Sequence, residues 1–217
     1  MTDREASLAH LAAVPLLAIL RGVVPEDALA IGAALCDAGF RLIEIPLNSP
    51  QPLDSIRRLA TATHGRAAIG AGTVLTVADV EAVADAGGSF IVSPNADPGV
   101  IRATRSAGLM SCPGVATPTE GFAALAAGAD VLKLFPAEQI APAVVKAWRA
   151  VLPPHVPLLP VGGITPMTMA AYRAAGASGF GLGSALYRPG MTAEAVRCAA
   201  EAFVAAWTED AFGTTRP

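Results

Sequence analysis

The sequence predicts a (β/α)8 barrel, an α/β fold in which parallel strands alternate with helices, formed as a single domain by residues 1–217. A short apolar segment, a turn and a helix-like stretch recur eight times. Successive strand centres lie 19 to 27 residues apart, which leaves room for one right-handed crossover helix in each interval. A doubly wound open sheet is the alternative. The predicted strands centre near Ala18, Glu44, Gly70, Val92, Ser111, Lys133, Pro160 and Gly181.

Helix boundaries are marked by capping side chains and by glycines. Capping residues precede proline in Ser49-Pro50, Asp97-Pro98 and Thr165-Pro166, and Thr117 with Glu120 forms a capping box. Glycines suited to a left-handed helix end stand at Gly39, Gly87, Gly108, Gly128 and Gly176. The first helix, near residues 7–13, would cap the bottom of the barrel. The last helix would run from 192 to about 208.

Composition excludes several classes of function. The formal charge is −3 and no basic cluster occurs, which argues against nucleic acid and anionic membranes as partners. No run of 18 apolar residues occurs, and the amino terminus is acidic where a secretory signal would be basic. The three cysteines are far apart and lack metal-ligand spacing, as expected for reduced thiols. We therefore expect a cytoplasmic protein.

Lys133 is the most informative single residue. The chain has 15 basic residues, of which two are lysines, and Lys133 stands inside the apolar run 130–136. Burial favours the neutral amine, which can attack a carbonyl carbon and form a Schiff base, whereas a guanidinium cannot. Lys133 is therefore a candidate nucleophile. The alternative is a lysine at a strand end with its ammonium in solvent.

Strand alternation groups other polar residues with Lys133. Glu44 opposes the aliphatic pair in strand 42–46, just as Lys133 and Phe135 oppose theirs, so these three would point into the barrel. The same reasoning places Arg21 and Thr73 at the carboxyl ends of the first and third strands, where such barrels hold their active sites. A purely structural ion pair between Glu44 and Lys133 is the alternative.

Two glycine turns follow the seventh and eighth strands. The first contains Gly162 and Gly163, and the second contains Gly183 and Ser184. In (β/α)8 barrels these two loops commonly bind phosphate through backbone N–H groups and a helix N-terminus. The sequence therefore predicts a phosphate site there, with simple turn formation as the alternative.

Several motifs, taken in order, resemble the class I aldolases that act on 2-keto-3-deoxy-6-phospho sugar acids of the gluconate and galactonate type. The resemblance covers most of the chain, from Leu16 to Arg188. It is carried by segments 16–22, 43–49, 69–74, 92–95, 112–114, 132–136 and 161–164, and ends at 186–188.

The resemblance implies specific roles. Lys133 would form the imine and Glu44 would transfer protons with water, while Arg21 and Thr73 would hold the substrate carboxylate. Phe135 would cover the imine, and Pro94 and Val161 would contact the substrate. The phosphate would lie on Gly162, Gly163, Gly183 and Ser184. The resemblance also implies a homotrimer without metal or cofactor, acting on a phosphorylated keto sugar acid and releasing pyruvate and glyceraldehyde 3-phosphate.

Two departures favour the galactonate branch of this family. Gluconate-type enzymes carry Thr-Leu-Arg-Thr after the strand glutamate and threonine before the glycine pair, whereas this chain has Pro46-Leu-Asn-Ser49 and Val161. The expected substrate is 2-dehydro-3-deoxy-6-phosphogalactonate, and gluconate or dual specificity is the alternative. A phosphosugar-binding or isomerase barrel without an imine is more remote. A metal-dependent aldolase is disfavoured because the three histidines lie outside the strand ends.

Overall fold

The fold alternates strands and helices along the whole described chain. The structure is a computed structural model that describes residues 2–212, with side chains described through residue 208. Its helices are α1 (Asp3–Ala13), α2 (Pro25–Asp37), α3 (Pro52–Ala62), α4 (Val77–Asp85), α5 (Pro98–Ser106), α6 (Pro118–Ala127), α7 (Pro142–Arg149), α8 (Pro166–Ala174) and α9 (Ala193–Phe212). No helix in this part of the chain is long and apolar enough to cross a membrane.

The strands are short and parallel. They are β1 (Leu16–Ile19), β2 (Leu42–Pro46), β3 (Ala68–Gly72), β4 (Phe90–Val92), β5 (Met110–Cys112), β6 (Gly114–Val115), β7 (Leu132–Leu134), β8 (Leu158–Pro160) and β9 (Phe180–Leu182). Six pair in the order β5-β4-β3-β2-β1-β9, and three in the order β6-β7-β8. A single bridge joins Val161 to Gly181.

All eight predicted strand centres fall inside strands. The additional strand, β6, arises because Pro113 interrupts the fifth segment between β5 and β6, where proline has no N–H to donate to a ladder. The strand order runs without the reversal that a doubly wound sheet requires, so that alternative is wrong.

Alternate side chains of the strands enter two separate clusters. Residues such as Ile43, Ile69 and Leu132 pack with the helices in the larger cluster. The opposite side, called the inner face here, has its own smaller cluster, which includes Leu42 and Phe90. Leu11 of α1 packs into this smaller cluster. The helix therefore lies against the inner face at its lower end, before the strands reach Glu44 and Lys133.

Most predicted helix signals are confirmed. Asp97 accepts hydrogen bonds from the amides of Gly99 and Val100, and Thr117 forms the predicted capping box. The five glycines predicted at helix ends all have positive φ. The first and last helices are longer than predicted, since the first begins at Asp3 and the last continues to Phe212.

One predicted helix start is wrong. Ser49 does not cap α3, which begins at Pro52 after Gln51. Instead, Ser49 is buried and its Oγ accepts a hydrogen bond from the amide of Gly22 at 2.9 Å. Ser49 therefore links the loop after β2 to the loop after β1 by a hydrogen bond.

Candidate functional site

Glu44 and Lys133 are buried on the inner face of the strands. Glu44 occupies the middle of β2 and is 1% exposed, and Lys133 occupies the middle of β7 and is 5% exposed. Along their strands, both alternate with residues of the larger cluster that packs with the helices, as the strand pattern predicts. Two ionisable groups are thus held away from bulk water by β-structure, which fixes their positions.

The space for the Glu44 carboxyl exists because β3 ends in glycine. A Cβ atom at Gly72 would overlap Oε1 of Glu44, so any larger residue would force the carboxyl to move. The other carboxyl oxygen, Oε2, is buried without a hydrogen-bond partner among the described residues. A buried acceptor without a partner is costly, and this one is available to a water molecule or a ligand.

Burial raises the pKa of Glu44 above its ordinary value of 4.5, and the positive charges of Lys133 and Arg21 oppose that shift without cancelling it. Desolvation is therefore the dominant effect on this carboxyl. A raised pKa favours the protonated carboxyl, which suits a group that both accepts and returns protons.

Phe135 covers the amine of Lys133. The Nζ atom lies 4.6 Å from the centre of the aromatic ring, a distance at which the ring face attracts an ammonium. In the described part of the chain no acidic group forms a salt bridge with Lys133. The predicted alternative of a structural ion pair with Glu44 therefore has no support in the geometry.

A nearby thiol is chemically inert. Burial raises the pKa of Cys112 to about 12, with Lys133 opposing that shift and Glu44 and Asp130 adding to it. Because the thiolate is the nucleophilic form, Cys112 acts as a packing residue at neutral pH.

A cavity of about 510 Å³ lies beside Phe135, and neither Glu44 nor Lys133 is among the residues that line it. Seven of the predicted site residues line it, namely Arg21, Phe135, Val161, Gly162, Gly163, Gly183 and Ser184. Phe135 connects the cavity to the buried amine, because it lines the one and contacts the other. The glycine loops and the lysine region therefore belong to one site.

The glycine loops present backbone to this cavity. Gly162 and Gly163 both have positive φ, at 115° and 62°, and lead into α8. Thr165 is the N-cap residue of α8, and its amide donates to Oγ1 of Thr168. After β9, the amides of Leu186 and Tyr187 donate to the carbonyl of Gly183, which forms a helical turn. A helix N-terminus and a neighbouring turn next to glycine backbone suit an anion.

The sequence matches a known protein family. The profile of the family described as KDPG and KHG aldolase matches residues 8–198. The chain belongs to this family. Its members are aldolases, so the predicted enzyme class, a carbon–carbon lyase, is confirmed.

Two curated relatives are similar over most of their length. The probable 2-dehydro-3-deoxy-6-phosphogalactonate aldolase of Rhizobium meliloti (strain 1021) is 51% identical over 193 residues, or 89% of this chain and 91% of the relative. The 2-dehydro-3-deoxy-6-phosphogalactonate aldolase of Escherichia coli (strain K12) is 48% identical over 196 residues, or 90% of this chain and 96% of the relative.

Solved aldolase structures share the fold. A structure described as native KDPGal superposes with a TM-score of 0.90 at 48% identity, covering 91% of this chain and 96% of the other. A KDPG aldolase from Legionella pneumophila, with pyruvate captured as a covalent carbinolamine intermediate, superposes with a TM-score of 0.76 at 26% identity, covering 90% and 96%.

Thr73 and Pro94 do not line the aldolase cavity. Strand alternation does not bring Thr73 to the inner face. Ala71 and Ile69, two and four residues before it, face the helices, and residues two apart in a strand share a face. A left-handed backbone, with φ of 57°, instead turns the chain at Thr73. Pro94 follows β4, where its carbonyl lies against Gly114. Both residues stand at strand carboxyl ends, beside the cavity rather than in its wall.

Two charged residues that were not among the predicted site residues line the cavity. Glu138, in the 3-10 turn Ala137–Gln139, lies against Gly162 and Gly163. Arg188 lines the cavity beyond Ser184. Arg188 is the last residue of the final motif in the family resemblance, and its place in that motif was a sequence signal for a role in the site. Nothing in the local sequence around Glu138 indicates its approach to a loop that follows the next strand.

Proposed function

We propose that this aldolase cleaves 2-dehydro-3-deoxy-6-phosphogalactonate to pyruvate and glyceraldehyde 3-phosphate through a Schiff base on Lys133. The observation that carries the proposal is a buried lysine, without a salt bridge among the described residues, whose amine contacts Phe135 in the wall of a cavity lined by glycine loops. The names of two relatives that are 51% and 48% identical support the substrate. The carbinolamine captured in the Legionella enzyme supports the chemistry.

The reaction begins with attack of the neutral Lys133 amine on the C2 ketone, which gives a carbinolamine. The protonated Glu44 carboxyl, directly or through water, gives its proton to the carbinolamine hydroxyl, so that water leaves and a protonated imine forms, which withdraws electrons from C3. The resulting Glu44 carboxylate takes the proton of the C4 hydroxyl as the C3–C4 bond breaks and glyceraldehyde 3-phosphate leaves. Glu44 returns this proton to C3 of the enamine, and water then hydrolyses the protonated imine to pyruvate and the free amine, with the released proton going back to Glu44.

Substrate binding uses both ends of the site. Arg21 holds the carboxylate of the keto acid, and Phe135 encloses the carbon chain beside the imine; both line the cavity. Thr73 and Pro94, which stand at strand ends outside the cavity lining, stay predicted substrate contacts. The backbone of Gly162, Gly163 and Gly183, together with Ser184, holds the phosphate. Arg188 adds a positive charge near that end of the cavity. The arrangement separates two anionic groups of one substrate.

Val161 favours the galactonate epimer at C4. Its side chain is buried and lines the cavity, where it offers methyl groups and no hydrogen-bond partner. A threonine at this position would offer a hydroxyl to a C4 hydroxyl of the opposite configuration. The valine therefore leaves the C4 hydroxyl to Glu44 or water.

The two sheets form one closed eight-stranded barrel in this proposal. The bridge between Val161 and Gly181 joins β8 to β9, and Pro113 alone separates β5 from β6. Homotrimer formation remains a prediction. Exposed apolar side chains, among them Phe122 at 47% and Met167 at 94%, offer surfaces that another copy of the chain could cover.

Borohydride reduction in the presence of pyruvate tests the proposal. The imine is reduced to a stable amine, and peptide mass spectrometry then locates the added mass. We expect it on Lys133. The chain offers a matched control in Lys146, an exposed residue of α7: Lys146→Arg should still be labelled, and Lys133→Arg should not. Labelling of Lys146 alone, or of neither residue, would overturn the imine mechanism.

A further inference from the structure

The loop that carries Arg21 is held by the loop that follows β2. Nη1 of Arg21 donates to Oδ1 of Asn48 at 2.6 Å, and the amide of Gly22 donates to Oγ of Ser49 at 2.9 Å. Two consecutive residues of one loop thus bond two consecutive residues of the other. Side chain and backbone of the Arg21 turn are both fixed.

The turn is also packed from its other side. Gly22 has a φ of 80°, and a Cβ atom there would lie 2.8 Å from Cγ of Pro189. The chain therefore passes closely between Pro189 and the loop after β2. Since the backbone is held by these contacts, the remaining freedom of Arg21 lies in its own long side chain, and Asn48 is the hydrogen-bond partner that restrains it.

Asn48 lies four residues after Glu44, but it cannot bind a carboxylate as an arginine would. It has no charge, and its amide oxygen is committed to Arg21. Among the cavity-lining residues, positive charge comes from Arg21 and Arg188, and Arg188 lies near the glycine loop after β9. Since two positive side chains serve both the carboxylate and the phosphate of one substrate, the direction of the Arg21 guanidinium matters.

We propose that Asn48 is a positioning residue for Arg21 in the aldolase reaction, an inference that rests on the proposed function. The amide oxygen accepts one N–H of the guanidinium and leaves the others directed to the substrate carboxylate. A guanidinium is a planar fork, so fixing one N–H also fixes the direction of the rest. Restraint before binding reduces the freedom that the side chain loses on binding, which tightens the complex.

The test replaces Asn48 by leucine, which has a similar size and no acceptor. We expect the KM for 2-dehydro-3-deoxy-6-phosphogalactonate to rise by about 2- to 13-fold, the effect of one hydrogen bond, while kcat is retained. The pyruvate concentration that gives half-maximal borohydride labelling of Lys133 should rise by the same factor. Asn48→Gln, which keeps the acceptor on a longer side chain, should restore most of the binding.

A double-mutant cycle separates positioning from a structural role. In an Arg21→Ala background, Asn48→Leu should have no further effect on KM, because the group that it positions is gone. Gln139→Leu, at an exposed amide outside the cavity lining, is the control and should leave KM unchanged. Thermal unfolding of each variant verifies folding.

Two results would overturn the positioning role: an unchanged KM in Asn48→Leu, or a rise of equal size with and without Arg21. The proposed function fails in a different way, since it requires labelling of Lys133 in the wild-type protein. KM for cleavage can be measured whether or not borohydride labels the lysine. The two failures are therefore distinguishable.

Discussion

The site has two regions of opposite character. The Glu44–Lys133 region is buried within strands, with both side chains 5% exposed or less. The glycine loops after β8 and β9 are open to the cavity, and they present backbone and small side chains. One region excludes water from two ionisable side chains, and the other offers polar backbone to a ligand without burying charge.

The difference shows where this fold uses side-chain chemistry and where it uses backbone. Desolvation raises the pKa of the Glu44 carboxyl, so a carboxyl that transfers protons gains from the strand interior. An anion needs donors that remain accessible, which loops and helix N-termini supply. Substitutions in the buried region should therefore affect the chemical step most, and substitutions beside the loops should affect specificity or binding.

The largest effect is expected for Lys133→Arg. The substitution keeps a positive charge and a long side chain, but a guanidinium cannot form the imine, so cleavage should be abolished. A coupled assay of pyruvate release measures the loss. The exposed Lys146→Arg, with the same change in side chain, should retain full activity. Substantial cleavage by Lys133→Arg would show that the buried region does not supply the nucleophile.

Glu44→Gln should lower kcat by about 10²–10⁴-fold, the usual contribution of a general acid or base. The amide keeps the size of the side chain, so folding should survive. Steady-state kinetics with the galactonate substrate measures the effect. If turnover is nearly unchanged, water or a phosphate oxygen carries the proton, and Glu44 is a structural residue.

The same variant has a pH-dependent effect on stability. Burial raises the pKa of Glu44 in the folded state above 4.5, so between the unfolded and folded pKa values the folded state binds more protons. The free energy of unfolding therefore falls as pH rises through that window and stays lower above it. Thermal melts should show Glu44→Gln gaining stability relative to wild type as pH rises from below 4.5 towards neutral. A stability difference between variant and wild type that does not change with pH would contradict a raised pKa for the buried Glu44 carboxyl.

Gly72→Ala should reduce kcat by about 10²-fold, because displacement of a catalytic group by about 1 Å can cost that much. The new methyl group would occupy the position of Oε1 of Glu44. Overpacking should also lower the free energy of unfolding by about 1–3 kcal/mol. Kinetics and thermal melts measure both effects. Gly121→Ala, in α6 and outside the cavity lining, is the control, since a Cβ atom there would come no closer than 3.4 Å to a neighbour, and it should leave kcat nearly unchanged.

The smallest effect is expected for Val161→Thr, beside the glycine loop. One hydrogen bond contributes about 0.5–1.5 kcal/mol, so the ratio of kcat/KM values should shift towards the gluconate epimer by roughly 2- to 13-fold. Paired assays of both C4 epimers on wild type and variant measure the ratio. A wild type that cleaves the gluconate epimer faster would overturn the substrate assignment while leaving the imine chemistry intact.

Much of the buried region could be predicted from sequence, because strands alternate with a fixed period. That period placed Glu44 and Lys133 on one face of the strands, and the structure places both there. The eight strand centres followed from the same regularity. The family was predicted from ordered motifs and is confirmed by the match to residues 8–198.

Residues in loops were harder to place, because no period governs them. The strand rule did not describe Thr73, where a positive φ reverses the chain. Ser49 looked like a helix cap, but it bonds another loop. Glu138 approaches the glycines across two segments of chain, and such a contact depends on how whole units pack. The local sequence around Glu138 therefore does not indicate this contact.

The scarcity of lysine has a practical consequence for attaching the enzyme to a solid support. Of its two lysine amines, Lys146 lies exposed on α7, while Lys133 is 5% exposed beneath an aromatic ring. A bulky amine-reactive polymer can reach the first and cannot reach the second. Apart from the terminal amine, covalent immobilisation would therefore occur through one helix and leave the proposed nucleophile, Lys133, free for flow biocatalysis.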